Sequence, residues 1–184
     1  MPRRVLALSL LAVCAAVASH GTAAAGAVSC GDASTPVEAL GIDQFERSVV
    51  CITNQRRADA GRPPVHPNST LARAAARHSE AMVSGRFFSH LAPGGRGLAE
   101  RARASGYVRG AARWRVGENL RWAIRELSTP SEVVEAWMVS QPHRRVLLDD
   151  QFREIGIGAV LGAPVLQQPA GAVTVTALYG LRTK

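Results

Sequence analysis

The sequence predicts an α+β domain in which helices cover a small, mostly antiparallel sheet. Amphipathic helical stretches fill the first half of the chain, a sharply capped helix starts near residue 130, and clear strand periodicity is confined to the C-terminal part. Strand and helix never alternate in a repeating way, which argues against a parallel α/β sheet.

Residues 31–42 hold Gly31, Asp32, Pro36 and Gly41 and read as a turn-rich lead-in. From Asp43, a suitable N-cap, Phe45, Val49 and Ile52 recur at helical spacing until Gly61, Pro63 and Pro64 stop the helix. Asn68 or Ser69 caps a second helix with Leu71, Ala75, His78 and Met82 inward, and Gly85 is expected to end it in a left-handed conformation. A loop rich in Gly and Pro follows, then a short helix from Leu98 to Ser105, a short strand near 114–117 and irregular or helical structure around 120–126. Thr129-Pro130-Ser131-Glu132 is a helix start with Thr at the N-cap and Pro at the first helical position. Pro142 interrupts that helix. Gly156 to Val160 reads as a strand whose glycines admit another element closely, and Val173, Val175 and Ala177 alternate with threonines in a second strand after a reversal at Pro169 to Gly171.

The chain has 184 residues, of which 47% are hydrophobic and 20% charged, enough to build one core. Its formal charge is +8, carried by scattered arginines with Lys184 as the sole lysine, and aromatic residues make up only 5%. With no dense basic cluster and few stacking platforms, nucleic acid is not an expected partner. Loose attraction to anionic envelope polymers is the consequence the charge leaves open.

Residues 1–25 read as a signal peptide. Arg3 and Arg4 precede an apolar run from Val5 to Ala18, which is shorter than the roughly 20 residues of a spanning helix, and Ala23-Ala24-Ala25 supplies the small side chains of a cleavage site. A lipoprotein signal fits poorly, because Val13 is large for the position before Cys14 and Cys30 lies far beyond the apolar core. The reading divides the chain into a 1–25 signal, a 26–42 extension and a 43–184 domain, with no transmembrane segment after cleavage. Export leaves Cys30 and Cys51 in an oxidising compartment, where they are expected to pair; the alternative is two buried free thiols.

General catalytic signatures are missing: no HExxH, GxSxG, Walker loop, Cys-rich zinc spacing or GxGxxG precedes a helix. Polar residues instead gather beside structural punctuation, at Phe87-Phe88-Ser89-His90, Gly117-Glu118-Asn119, Glu135 and Gln141-Pro142-His143-Arg144. Asn54-Gln55-Arg56-Arg57, Gly61, the 87–93 segment, Gly106-Tyr107, Gly117-Glu118-Asn119, Val133 to Met138, His143-Arg144 and Glu154 to Gly158 follow one another in an order and spacing that resembles the CAP superfamily. That superfamily comprises cysteine-rich secretory, antigen 5 and pathogenesis-related 1 proteins, and the likeness is to its bacterial stand-alone, SCP-like form. Cys30 and Cys51 resemble an N-terminal extension of some bacterial members.

The resemblance implies a three-layer α-β-α sandwich and a cleft holding two histidines and two glutamates, mapped onto His90, Glu118, Glu135 and His143. Pro142 departs from the glycine that bacterial relatives usually carry before the histidine. The implied protein is secreted, extracellular or periplasmic, monomeric, and binds a small or lipid-like ligand or a divalent metal rather than acting as an enzyme. His90 and His143 are the expected ligands for zinc or another divalent ion. In the alternative, a metal-assisted hydrolase, Glu118 or Glu135 activates water; a third reading is a passive envelope domain. Separations of 28, 17 and 8 residues mean that the four groups meet only through tertiary folding. A histidine held beside carboxylates there is expected to become more basic, so that metal competes with protons below about pH 6. His66 and His78 read as structural, Trp114, Trp122 and Trp137 as packing, and Ser89 and Asn119 as residues that orient the four.

Overall fold

The computed structural model describes residues 30–165 and 167–184; the segment expected to be a signal peptide, with its cleavage site, lies outside them. The elements are α1 (Val37–Leu40), α2 (Ile42–Asp59), β1 (His66–Pro67), α3 (Ser69–Gly85), α4 (Leu98–Ala104), β2 (Arg113–Ile124), α5 (Pro130–Val139), α6 (Gln141–Leu147), β3 (Glu154–Leu161) and β4 (Ala172–Thr183). The sheet order is β1-β3-β4-β2, antiparallel except for the two-residue β1 beside β3.

Strand β4 is central, and its side chains alternate between two cores. Val173, Val175, Ala177 and Tyr179 join Phe45, Val49 and Ile52 of α2 and Val133, Val134 and Trp137 of α5 in the larger cluster. Leu178 points the other way, onto Leu71, Ala74 and Ala75 of α3 and onto Tyr107. Helices thus cover both faces, giving an α-β-α sandwich. The tight fit of α3 explains the glycines of β3: a Cβ on Gly156 or Gly158 would fall on the backbone nitrogen of Ala72 or Ala76.

Local chemistry accounts for the helix starts. The Asn68 side chain accepts from the amides of Thr70 and Leu71, and Thr129 Oγ1 accepts from the Glu132 amide at 3.2 Å. Helix α2 begins one residue earlier than Asp43, on the carbonyl of Gly41. The lead-in contains the single turn α1, whose Val37 is buried and donates to the Ser128 carbonyl. Gly85 remains helical; Arg86 takes the left-handed conformation, with φ 53°. What Gly85 supplies is space, since a Cβ there would lie 3.0 Å from the Phe87 ring.

The largest departure from the sequence reading is β2, one strand of 12 residues in place of a short strand and an irregular stretch. Every residue from Arg113 to Ile124 is in register with β4, Arg113 opposite Thr183 and Ile124 opposite Ala172. Cross-strand pairing with a long neighbour that is buried from Ala172 to Gly180 overrides the weak strand preference of Gly117-Glu118-Asn119.

Cys30 and Cys51 form a disulfide with Cα atoms 5.5 Å apart, fastening the N-terminal segment to α2 across 21 residues of chain. Closing a loop of that size stabilises the fold by about 3 kcal/mol in the chain-entropy view. No helix among the described residues is long and apolar enough to cross a membrane.

Candidate functional site

Strand β2 forms the sheet edge at which the polar residues gather. Glu118 sits opposite Leu178 and so faces the α3–α4 layer, whereas its neighbour Asn119 faces the layer of α5 and α6. The Glu118 side chain is 2% exposed. Its Oε1 accepts from His90 Nδ1 at 2.8 Å, and its Oε2 accepts from Arg101 Nη2 at 2.5 Å. Arg101 also donates through Nη1 to the His90 carbonyl at 2.8 Å. His90, on the loop between α3 and α4, is therefore held by its ring and by its backbone. The side chain is still 57% exposed, and Nε2 has no hydrogen-bond partner among the described residues.

His78 of α3 lies beneath this arrangement, 2% exposed, with Nε2 donating to the Ser89 carbonyl at 3.0 Å. It anchors the residue before His90. Burial is the main force lowering its pKa, with the nearby Glu118 carboxylate opposing and Arg101 and His90 adding to the depression. A folded-state pKa below the unfolded 6.5 means that the unfolded chain takes up a proton first as pH falls. Stability from this group is complete above about pH 6.5 and is lost below it. His78→Gln, which keeps a donor for the Ser89 carbonyl but does not titrate, should flatten the loss of thermal stability between pH 7.5 and 5.5; an unchanged slope in melting experiments would exclude His78 as its source.

His143, in α6, is fixed through its backbone: Asn119 Nδ2 donates to its carbonyl at 3.0 Å. Burial first, then the adjacent His90 and Arg121, lower its pKa. The expectation of a more basic imidazole fails here, because burial disfavours the charged ring and the charged neighbours that act on it are cationic.

The structure does not bring Glu135 to this group. Val133, Val134 and Trp137 turn inward from α5, so Glu135 turns outward, half exposed, and its Oε2 lies 3.4 Å from Arg56 Nη2 of α2. Arg101 is the member that the sequence did not reveal; an arginine on a short charged helix carries no signal of its partner. Trp137 packs in the core with Nε1 donating to the Leu120 carbonyl, and His66 is exposed in β1.

The donor set bears on metal binding. Among the described residues no group of three or more His, Cys, Asp or Glu side chains is disposed to hold a metal ion, and both oxygens of Glu118 are engaged. Two imidazoles remain, one with its Nδ1–H bound to a carboxylate, the arrangement that orients a histidine ligand.

Residues 52–176 match the cysteine-rich secretory protein family, CAP. The chain belongs to this family. It is 31% identical over 127 residues to the uncharacterized protein YkwD of Bacillus subtilis strain 168, a match covering 69% of the chain and 47% of that protein; the chain thus spans about half of its curated relative. Among solved structures, an SCP-domain extracellular protein of Bacillus anthracis strain Ames superimposes with TM-score 0.56 at 24% identity over 74% of the chain and 42% of its own. An outer surface protein of Borrelia burgdorferi gives 0.59 at 18% identity over 73% and 90%. These two share the CAP fold with the chain. The disulfide lies just upstream of the matched CAP region.

Proposed function

We propose that this CAP protein is exported and acts as a binding protein, with the cleft of His90, Glu118 and His143 as its ligand site. The carrying observation is the His90–Glu118 hydrogen bond: Nδ1–H donates to the buried carboxylate, so the lone pair of the neutral ring resides on the exposed Nε2. His90 and His143 would hold a divalent ion such as zinc, which when bound supplies a Lewis-acid anchor for a small ligand. Two protein donors leave half of a tetrahedral shell to groups from outside, which suits reversible binding.

The hydrolase alternative needs a carboxylate free to take a proton from water. Glu118 is clamped by two donors and Glu135 faces Arg56, so the arrangement favours binding over hydrolysis. Export is supported by the Cys30–Cys51 disulfide and by the relatives described as extracellular and outer-surface proteins.

Calorimetric titration of the purified chain with zinc tests the reading. Wild type should bind, and His90→Ala/His143→Ala should bind at least about tenfold more weakly. Equal affinity in the two, or no binding by wild type, would reject the imidazole pair as a metal site. Mass spectrometry of extracts from the same samples tests for a co-purifying lipid-like ligand.

A further inference from the structure

A concavity lies between α3, α4 and the loop joining them, near the His90–Glu118 pair but lined by neither residue. Its volume is about 460 Å³, within the range of small-molecule sites. Arg77, Arg96 and Arg101 line it together with His78, Glu80 and Glu100. Glu100 is tied to the start of α4, accepting from the Gly97 amide at 3.0 Å. Arg101 is already paired with Glu118, so the cations left to a ligand are Arg77 and Arg96.

Two kinds of unused polar capacity converge there. The exposed side chains of Arg77 and Arg96 have no hydrogen-bond or ion-pair partner among the described residues. Deeper in, Arg101 Nε, a charged donor, is buried and also lacks a partner among the described residues. The Arg101 side chain is 12% exposed, and an unsatisfied buried donor carries a desolvation cost that an anionic occupant can relieve. The remaining wall is built largely from alanines of the two helices and the loop, an apolar surface that a bare inorganic ion would not use.

We propose that this cavity binds a small organic oxyanion, a carboxylate or phosphate monoester, whose anionic group is held by Arg77 and Arg96 beside Arg101 and whose body rests on the alanine wall. Guanidinium forks match the geometry of both anions. The site uses neither the His90 nor the His143 imidazole, so it goes beyond the metal-binding reading and stands or falls separately from it.

The test is titration of the purified chain with phenyl phosphate and benzoate, with inorganic phosphate as the bare anion and benzylamine as a cation of similar size. At least one aromatic anion should bind, benzylamine should not, and Arg77→Ala/Arg96→Ala should weaken anion binding by about tenfold or more. Both arginines are exposed and unpaired, so the unfolding midpoint of the variant should match wild type, separating lost binding from lost fold. Inorganic phosphate binding as tightly as the aromatic anions would overturn the organic half of the assignment. No binding of either aromatic anion, equal binding of benzylamine, or affinity unmoved in the double variant would overturn the whole.

Discussion

Replacing Arg57 with methionine should destabilise the protein by several kcal/mol, since each buried carbonyl left without its donor costs about 1–3 kcal/mol. Arg57 lies in α2 with no exposed surface, and its guanidinium is spent entirely on backbone carbonyls. Nε donates to Pro63 at 2.8 Å, Nη1 to Leu147 at 2.6 Å and Asp149 at 3.0 Å, and Nη2 to Phe152 at 3.3 Å. One side chain therefore joins the turn after α2, the end of α6 and the segment entering β3. Burial lowers its pKa, yet a guanidinium stays charged across the working range. Methionine fills a similar volume without donors, so the loss is of hydrogen bonds to charge rather than of packing. Arg57→Lys should recover only part of it, because an ammonium cannot reproduce the fork. Urea unfolding measures both; a loss below about 1 kcal/mol for Arg57→Met, the net worth of one ordinary hydrogen bond, would show that these segments hold together without it.

Arg57 also marks where the sequence stops being legible. Helices α2, α3 and α5 could be read because their information is local: apolar residues at three- and four-residue spacing, Asn68 and Thr129 at the caps, proline and glycine at the ends. The close approach behind Gly156 and Gly158 was readable for a similar reason, since interior strand glycines have few other uses. The burial of Arg57 depends on carbonyls up to 95 residues away, which no window contains. Strand β2 was obscured because its pairing along β4, not its own alternation, makes it a strand. At the site, His90, Glu118 and His143 stood out beside turns and glycines, but assigning Glu135 as their companion neglected the inward stripe of Val133, Val134 and Trp137, which leaves it facing Arg56. Arg101 had no local signal at all. Its importance comes from Glu118 facing α4, which required knowing the sheet register.

On the proposed zinc-binding reading, Glu118→Gln should weaken zinc binding by about tenfold to a hundredfold, the range for losing the orienting partner of a histidine ligand, with little change in shape. In the wild type both carboxylate oxygens accept, one from His90 and one from Arg101. An amide has one acceptor and one donor group. Arg101 has only donors to offer, so the amide oxygen must turn toward it and the NH₂ toward His90 Nδ1. That nitrogen must then accept, and the ring proton moves to Nε2, the atom presented to a metal. A neutral side chain of the same size thus converts His90 from an exposed acceptor to an exposed donor. Nitrogen-15 correlation spectra at neutral pH should show Nδ1–H in wild type and Nε2–H in the variant, while Arg101 keeps its contact with residue 118. An identical tautomer in both proteins would remove Glu118 as the group that sets the ring, and a switched tautomer with undiminished zinc binding would remove His90 as a ligand.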